Sequence, residues 1–441
     1  MNVIGWRCAV CGAEVPIAAV HPWRCPRSTD DDRHHVLQVV SAGPLAPAID
    51  DPNPFIAYDS RLAWAAFANA HGMDREARAS LVRELDDQIA VVAGTGFVRT
   101  PMARADALSD ALGFTASGGI WVKDETGNVA GSQKARHLVT ILLSLRAAEE
   151  LDLAAWGRRA DRPPLAISSC GNAAIAASTL AASVGWPIRV FVPPWASVTV
   201  LAMLQRLGAD VQVCPRLDTD PPGDPCIHRF REAVAAGAIP FGVQGPENSL
   251  CLDGGRTLGW ELLDAGAAAG TAFDDVFDDV FVQVGGGAFA ACMGRALIDV
   301  TDQGGLAPRL RAVQAEGCAP LAGAWRRALA LTGGAGTAAQ HWDECMRVWG
   351  SDGEAEPASL ADGILDDETY DWIGIVQALV ATDGDVVVAS EAQVVEAHQL
   401  LRDTTGIDAT ATGTAGLAGV LAARSGGDAR VAVVASGVTR Y

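Results

Sequence analysis

Residues 123–136 read KDETGNVAGSQKAR and contain both lysines of a 441-residue chain. The segment begins on a β-branched run, passes through a turn rich in small residues, and continues into a Leu- and Ala-rich stretch. This order predicts a strand, a tight turn and a helix that begins near Lys134. Every other basic side chain is arginine or histidine, so the retained lysine indicates a need for a primary amine. Unlike a guanidinium group, an amine can condense with an aldehyde and later release its proton.

The size and charge of the chain limit the classes of protein it can be. Its length predicts two or three domains with room for a large core. The formal net charge of −20 argues against a nucleic-acid partner, because phosphates favour a basic surface. No apolar run reaches the roughly 20 residues of a membrane span, and the first residues lack the apolar core of a signal peptide. We therefore expect a soluble cytoplasmic protein without a membrane partner.

Strand and helix patterns alternate along residues 96–441. Most of the strand candidates precede a helical pattern, and they lie at 119–125, 164–169, 188–193, 210–214, 279–286, 309–316, 385–390 and 430–437. Such alternation predicts an α/β fold whose parallel sheets carry helices on both faces. In these folds ligands bind at the carboxyl ends of the strands.

The first 40 residues carry a metal-binding pattern. Cys8 and Cys11 form a C-x-x-C pair and Cys25 follows, while Ser28 stands where a complete zinc ribbon has its fourth cysteine. Zinc prefers four thiolate or imidazole ligands in a tetrahedral array. Three residues of the following loop can complete the set: His34, His35 and Asp30. We take His34 as the fourth predicted ligand of a structural zinc ion; the alternative is a ribbon that folds without metal.

Four strand ends supply the candidate chemistry. In chain order they read NVAGSQKARH (128–137), SSCGNAA (168–174), QVGGGAFAACMG (283–294) and VASGV (434–438). Together they provide an amine for an aldehyde, an amide donor for a phenolic oxygen and a neutral hydroxyl for a pyridine nitrogen. The glycine-rich turn before a helix provides backbone N–H groups for a phosphate. These are the needs of pyridoxal 5′-phosphate, which we predict as the cofactor.

These motifs resemble those of the fold type II pyridoxal-phosphate enzymes, the tryptophan synthase β superfamily. KDETGNVAGSQKAR is similar to the lysine motif K-D-E-x-x-N-P-T-G-S-F-K-D-R of threonine synthase-like members. SLADGILDD (359–367) looks like the A-D-G segment of the dehydratase and synthase branches. The triple-glycine segment DDVFVQVGGGAFAA (278–291) looks like the segment V-F-V-Q-A-G-V-G-S-F-A of diaminopropionate ammonia-lyases. The resemblance covers residues 96–441 well and 1–40 loosely.

The resemblance implies an architecture and an assembly. Two three-layer α/β domains with parallel sheets are expected, with the cofactor in the cleft between them, and a homodimer. The expected segments are a zinc-ribbon-like segment at 1–40, a helical lead-in at 41–95, a lysine-bearing domain at 96–240 and a phosphate-binding domain at 241–441.

The resemblance also implies a role for each motif residue. Lys134 is the catalytic Schiff-base lysine, Asn172 meets the phenolic oxygen of the cofactor, and Ser436 meets its pyridine nitrogen. The implied phosphate cradle is Gly285, Gly286, Gly287 and Ala288. The candidate substrate-binding residues are Ser169, Cys170, Gly171 and Arg136. For Arg136 two partners stay open, an anionic group of the substrate or a carboxylate of the protein.

Three residues depart from the family pattern beside the substrate: Gln133, Ala135 and Cys170. These departures do not change the predicted cofactor, but they leave the identity of the substrate open. We expect a lyase or synthase that deprotonates Cα of a small amino acid and eliminates its β-substituent, of the threonine synthase or dehydratase/ammonia-lyase type. The alternatives are a β-replacement synthase and a noncatalytic relative that binds pyridoxal phosphate. Lys123 and His137 are predicted to have structural roles.

Overall fold

The computed structural model of the protein describes residues 2–221, 223–268, 277–302, 304–331 and 335–440. In chain order, the strands are β1 Asn2–Cys8, β2 Glu14–Pro16, β3 Leu37–Ala42, β4 Met102–Arg104, β5 Gly119–Asp124, β6 Leu165–Ser168, β7 Ile188–Val192, β8 Asp210–Val213, β9 Ile239–Pro240, β10 Asp279–Gln283, β11 Arg309–Ala315, β12 Asp385–Ala389 and β13 Arg430–Ala435. The helices are α1 Pro54–Ala57, α2 Ala63–Ala70, α3 Arg75–Ala93, α4 Asp106–Ala111, α5 Lys134–Glu150, α6 Asn172–Ser183, α7 Val198–Arg206, α8 Pro225–Ala235, α9 Cys251–Ala268, α10 Ala288–Thr301, α11 Pro320–Ala330, α12 Ala335–Gln340, α13 Trp342–Cys345, α14 Trp372–Ala381, α15 Glu391–Thr405 and α16 Ala411–Ala423.

Two sheets form the body of the molecule, and both are built largely from parallel strands. One has four strands in the order β8-β7-β6-β9, and the other has six in the order β12-β11-β10-β13-β5-β4. Only the short β4 runs antiparallel, against β5. All the strand candidates of the sequence form strands, which confirms the predicted α/β fold with parallel sheets.

The pairing of β5 was not predicted. Its residues 119–124 pair with β13 near the end of the chain, in parallel register from Gly119 opposite Arg430 to Asp124 opposite Ala435. The six-stranded sheet therefore takes strands from both sides of the expected boundary at 240/241. Local sequence patterns do not specify this pairing, because a β-branched run has the same composition whichever sheet receives it.

Helix α5 lies where the two sheets meet. It packs against α9, α6 and α2, and α9 packs in turn against α10 of the six-stranded unit. Nearly all of its side chains are buried, and the polar ones among them, such as Arg136, His137 and Arg146, are buried along with its leucines and alanines. This position places the N-terminus of α5, and hence Lys134, at the junction of the two units.

The N-terminal segment forms a separate small sheet. Its strands lie in the antiparallel order β2-β1-β3, and Trp6 and Leu37 join the hydrophobic core that also contains α2 and α5. Within the described residues, no helix combines the length and apolar composition needed to cross a lipid bilayer.

Candidate active site

Lys134 is the first residue of α5 and its side chain is half-buried. Burial lowers the pKa of its amine, an effect partly offset by the nearby carboxylates of Asp366 and Asp371. A lowered pKa increases the fraction of neutral amine, which is the nucleophilic and basic form. The chain reaches this position through a turn in which Gly131 adopts a φ of +67°; a Cβ there would lie 2.3 Å from Cγ1 of Val438.

The lysine turn contacts the last of the four motifs directly. The backbone N–H of Gln133 donates to Oγ of Ser436 at 3.1 Å, and the N–H of Val438 donates to the carbonyl of Gly131 at 2.9 Å. Ser436 itself is buried at the end of β13. The parallel pairing of β5 with β13 therefore brings together two motifs that are about 300 residues apart, as both strands end at the same edge of the sheet.

Asn172 begins α6 in the four-stranded unit and faces the lysine turn and the VASGV motif. Its Oδ1 accepts from the guanidinium of Arg440, which also donates to the carbonyl of Ala130 at 2.7 Å. The amide nitrogen of Asn172 lies close to Gly437, since a Cβ on that glycine would lie 2.6 Å from Nδ2. Its oxygen is engaged by Arg440, and its N–H₂ group donates to no acceptor within the described residues, so it can serve a ligand as a donor. Arg440 is not predicted from the sequence, where its one signal is its position just after the VASGV motif.

The glycine turn at 285–287 leads into the N-terminus of α10. Gly287 has a φ of +99°, and a Cβ on it would lie 2.9 Å from Cγ2 of Thr369. A Cβ on Gly285 would lie 2.3 Å from Oδ2 of Asp366, whose carboxylate accepts a hydrogen bond from the backbone N–H of Gly286. The turn thus presents backbone N–H groups at a helix N-terminus, and a carboxylate occupies them here. Backbone N–H groups in this position bind anions, including phosphates.

Residues 366–371, DDETYD, form a wall beside this turn that we call the acidic segment. Burial raises the pKa of Asp366 to about 6, and those of Glu368 and Asp371 to about 7. The N–H of Asp371 donates to the carbonyl of Gly286 at 3.0 Å, and its Oδ2 accepts from Gly245 at 3.1 Å. Its Oδ1 has no hydrogen-bond partner within the described residues. The sequence had pointed only to the ADG part of this region.

The turn at Ser169, Cys170 and Gly171 connects β6 to α6 and is half-buried. The N–H of Ser169 donates to the carbonyl of Phe191 at 3.2 Å, and the N–H of Gly171 donates to Oγ of Ser169 at 3.3 Å. Burial raises the pKa of the Cys170 thiol, and the charges of Asp362 and Asp366 add to that effect. The turn therefore faces the acidic segment with a neutral thiol.

Arg136 does not face this site, which corrects its prediction as a substrate-binding residue. Its guanidinium is fully buried, with Nε 2.8 Å from Oε2 of Glu125 and Nη1 2.6 Å from Oε1 of Glu261. Lys123 joins the same cluster through Glu261 at 2.7 Å. We call Lys123, Glu125, Arg136 and Glu261 the buried ion network. His137 is also buried, its Nδ1 lying 2.8 Å from the carbonyl of Cys251.

The N-terminal cysteines do come together, but with a different histidine. Potential ligand atoms of Cys8, Cys11, Cys25 and His35 all lie within 4.8 Å of one another. The ring of His34 instead stacks on Trp342 with ring centroids 3.7 Å apart. The prediction of His34 as the fourth ligand is therefore wrong. Neighbouring side chains of an extended segment point in opposite directions, so only one of the two histidines can face the cysteines.

The site fits pyridoxal phosphate on its own geometry. An amine of lowered pKa lies between a glycine cradle that a Cβ would fill and an amide donor on the facing unit. Two buried atoms beside the lysine, Oγ of Ser132 and Oε1 of Gln133, lack a hydrogen-bond partner within the described residues. These are groups that a polar ligand in the cleft can satisfy.

Comparison with known proteins agrees with this geometry. Residues 94–437 match the family described as pyridoxal-phosphate dependent enzyme, so the chain belongs to that family and uses pyridoxal phosphate as its cofactor. No curated protein sequence matches the chain.

Solved structures with the same fold include three enzymes of different activity. Maize serine racemase is 16% identical with a TM-score of 0.58, over 82% of this chain and 93% of that one. The processed form of threonine deaminase isoform 2 from Solanum lycopersicum is 15% identical with a TM-score of 0.57, over 91% and 96%. Diaminopropionate ammonia lyase from Escherichia coli is 18% identical with a TM-score of 0.60, over 82% and 89%.

Proposed function

We propose that the protein is a lyase or synthase that removes a substituent from Cβ of a small amino acid after Lys134 takes the proton from Cα. The observation that carries the proposal is the half-buried amine of Lys134, whose pKa is lowered by burial. When bound, pyridoxal phosphate supplies the electron withdrawal that makes a Cα proton removable. The amine of Lys134 would hold the cofactor, and once released by the substrate it would be free to act as general base at Cα.

The other residues hold the reactants in place. Gly285, Gly286, Gly287 and Ala288 offer backbone N–H groups to the phosphate, and Asn172 offers its amide N–H₂ to the phenolic oxygen. Ser436 offers a neutral hydroxyl to the pyridine nitrogen and so does not hold a proton there. A neutral partner at that position would favour loss of a β-substituent over transamination. The turn Ser169–Cys170–Gly171 is the proposed site for the α-carboxylate of the substrate.

Two outcomes follow from elimination. Water can hydrolyse the unsaturated product of the elimination to ammonia and a keto acid, as in a dehydratase-like or ammonia-lyase-like reaction. A nucleophile can instead add at the vacated carbon and yield a new amino acid, as in a synthase. A homodimer, which rests on the family resemblance, and a location in the cytoplasm are part of the proposal; light scattering from the purified protein tests the dimer.

A second candidate is an ammonia-lyase that acts on a diamino acid, and the acidic segment favours it. Asp366, Asp367 and Glu368 are half-buried, and burial raises the pKa of all three. Asp224 adds further negative charge near Asp367. An ammonium group on the side chain of the substrate would compensate these carboxylates. The similar fold of the diaminopropionate ammonia lyase supports this candidate.

A substrate panel distinguishes these reactions. The protein, loaded with pyridoxal phosphate, is mixed separately with threonine, serine, phosphohomoserine and 2,3-diaminopropionate. Released ammonia, keto acid and inorganic phosphate are then measured, with the Lys134→Ala variant as the control. Keto acid from a hydroxy amino acid supports a dehydratase-like reaction, and preference for the diamino acid supports the second candidate. Inversion at Cα without loss of any β-substituent across the panel would contradict both.

A further inference from the structure

The N-terminal ribbon contains four groups in a metal-binding arrangement. Cys8 ends β1, Cys11 lies in the following turn, and Cys25 and His35 come from the long connection to β3. The Cys8 sulfur lies 3.4 Å from Nδ1 of His35, and the sulfurs of Cys11 and Cys25 are 3.5 Å apart. Ligands of a tetrahedral zinc ion are separated by about 3.3–3.8 Å, given metal–ligand distances of about 2.0–2.3 Å. These two separations match a tetrahedral site, and all four ligand atoms lie within 4.8 Å of one another, so one ion can reach all four residues.

The surroundings of the four groups also suit a bound cation. The backbone N–H of Arg27 points at the Cys25 sulfur at 3.4 Å, and the N–H groups of Val10 and Cys11 point at the Cys8 sulfur. Such N–H···S contacts stabilise thiolates. Three of the four residues are buried, so solvent does not compete for the ligand atoms.

Asp32 fixes the orientation of the imidazole. Its Oδ2 lies 3.0 Å from Nε2 of His35, on the side of the ring opposite the cysteines. Accepting the Nε2 proton leaves Nδ1 unprotonated and directed at Cys8. A carboxylate behind a histidine ligand is the usual second layer of a zinc site.

The same connection contacts the wall of the cofactor site. Next to His35, the Nε2 atom of His34 lies 3.4 Å from Oε1 of Glu368 in the acidic segment. Arg33 lies 3.6 Å from Glu247, and the N–H of Leu37 donates to Oγ of Ser249. Thr369, which follows Glu368, packs against Gly287 of the phosphate cradle. One short stretch of chain thus joins the four-residue cluster to the cradle.

We propose that Cys8, Cys11, Cys25 and His35 bind a structural zinc ion that holds residues 33–37 against the acidic segment and thereby positions the phosphate cradle. Four protein ligands leave no open position, so the ion has no part in the reaction. His34 and Asp32 are positioning residues, the first for Glu368 and the second for the metal ligand His35.

Metal content tests the zinc site without any assay of activity. We expect about one zinc ion per chain by plasma mass spectrometry, and cobalt-substituted protein with the absorption of a tetrahedral thiolate site. Cys11→Ser should lose the metal, whereas His34→Ala should retain it. Asp32→Asn should weaken zinc binding by about 10–100-fold, and its exposed neighbour Asp31→Asn should not. A chain purified without metal, or with a Cys11–Cys25 disulfide, would overturn the site.

Cofactor affinity tests the link to the cradle. Apoprotein is titrated with pyridoxal phosphate by tryptophan fluorescence, and zinc content is checked in each sample. His34→Ala, with its zinc retained, should raise the Kd of the cofactor roughly 5-fold, as expected for loss of one partly buried polar contact. His34→Gln, which keeps a donor towards Glu368, should restore most of the affinity. An unchanged Kd in His34→Ala and after zinc removal by a chelator would overturn the link. These readouts do not depend on which reaction is catalysed.

Discussion

The two groups of buried charges beside Lys134 differ in how they are compensated. In the buried ion network, Arg136 donates to both Glu125 and Glu261, and Lys123 adds a third ion pair. Burial alone would raise the pKa of Glu125, but the contact with Arg136 outweighs it and lowers that pKa. In the acidic segment no arginine takes this role at Asp366 or Asp371 among the described residues, and burial raises both pKa values.

The difference indicates which group supports the fold and which meets the ligand. In a fully paired network every charged group already has a partner, so none is available to bind a substrate. Breaking such a network is costly, because each partner would be left as an unpaired buried charge. Carboxylates that are buried without an ion-pair partner destabilise the protein on their own, and they are typical of sites where a ligand supplies the missing charge. Lys134 lies between the two groups. In the part of the chain that the structure describes, its amine forms no ion pair within 4.0 Å with either of them.

The largest expected effect comes from Lys134→Arg, which keeps a positive charge and removes the reactive amine. Activity should fall by at least about 10³-fold, because a guanidinium neither condenses with an aldehyde nor acts as a base. Borohydride treatment followed by peptide mass mapping should show no cofactor fixed to the variant. In Lys123→Met, by contrast, the cofactor should still be fixed at residue 134. Cofactor fixed at Lys123, in the wild type or in Lys134→Arg, would contradict the assignment.

Breaking the buried ion network should unfold the protein more readily. Arg136→Met leaves two buried carboxylates without their main partner and should lower the free energy of unfolding by about 3–5 kcal/mol. Guanidinium denaturation of the apoprotein measures this, with the exposed Arg159→Met as the control. If Arg136→Met keeps full stability and instead raises the KM for substrate, Arg136 is a substrate-binding residue after all.

Asp371→Asn should change how stability depends on pH. The folded-state pKa of Asp371 is about 7, above the unfolded value of about 3.9, so its ionisation costs stability as the pH rises through this window. The variant lacks this cost and should exceed the wild type by on the order of 2 kcal/mol above pH 7, with a flatter profile below it. Denaturation of the apoprotein at a series of pH values measures both slopes. Parallel curves for the two proteins would show that Asp371 is not buried as an uncompensated acid.

The smallest expected effect concerns Asp366, which lies at the phosphate cradle. With a pKa of about 6, Asp366 is neutral at lower pH and becomes an anion beside the phosphate as the pH rises. The affinity for pyridoxal phosphate should therefore fall a few-fold as the pH rises through about 6, and Asp366→Asn should remove this fall. Fluorescence titration of the apoprotein measures it, with the exposed Asp383→Asn as the control. A fall in affinity that persists in Asp366→Asn would exclude Asp366 as its source.

Much of the fold was predictable because its signals are local. The β-branched runs marked the strands of both sheets, and glycine-rich turns marked the points where strands give way to helices. The chemical requirement for an amine singled out Lys134, and the match of residues 94–437 to the pyridoxal-phosphate family agrees with it. These inferences needed only the identity and the spacing of residues near one another in the chain.

The amino-acid sequence by itself thus determined the fold class, the cofactor and the lysine expected to hold it. The tertiary structure decided which charges are paired, because Arg136 meets Glu261, 125 residues away in the chain, only after α5 packs on α9. It also decided that His35 and not His34 faces the cysteines, and that β5 joins the six-stranded sheet. The orientation of a side chain and the partner of a strand are set by packing between distant segments, and a local pattern carries no information about which segment arrives.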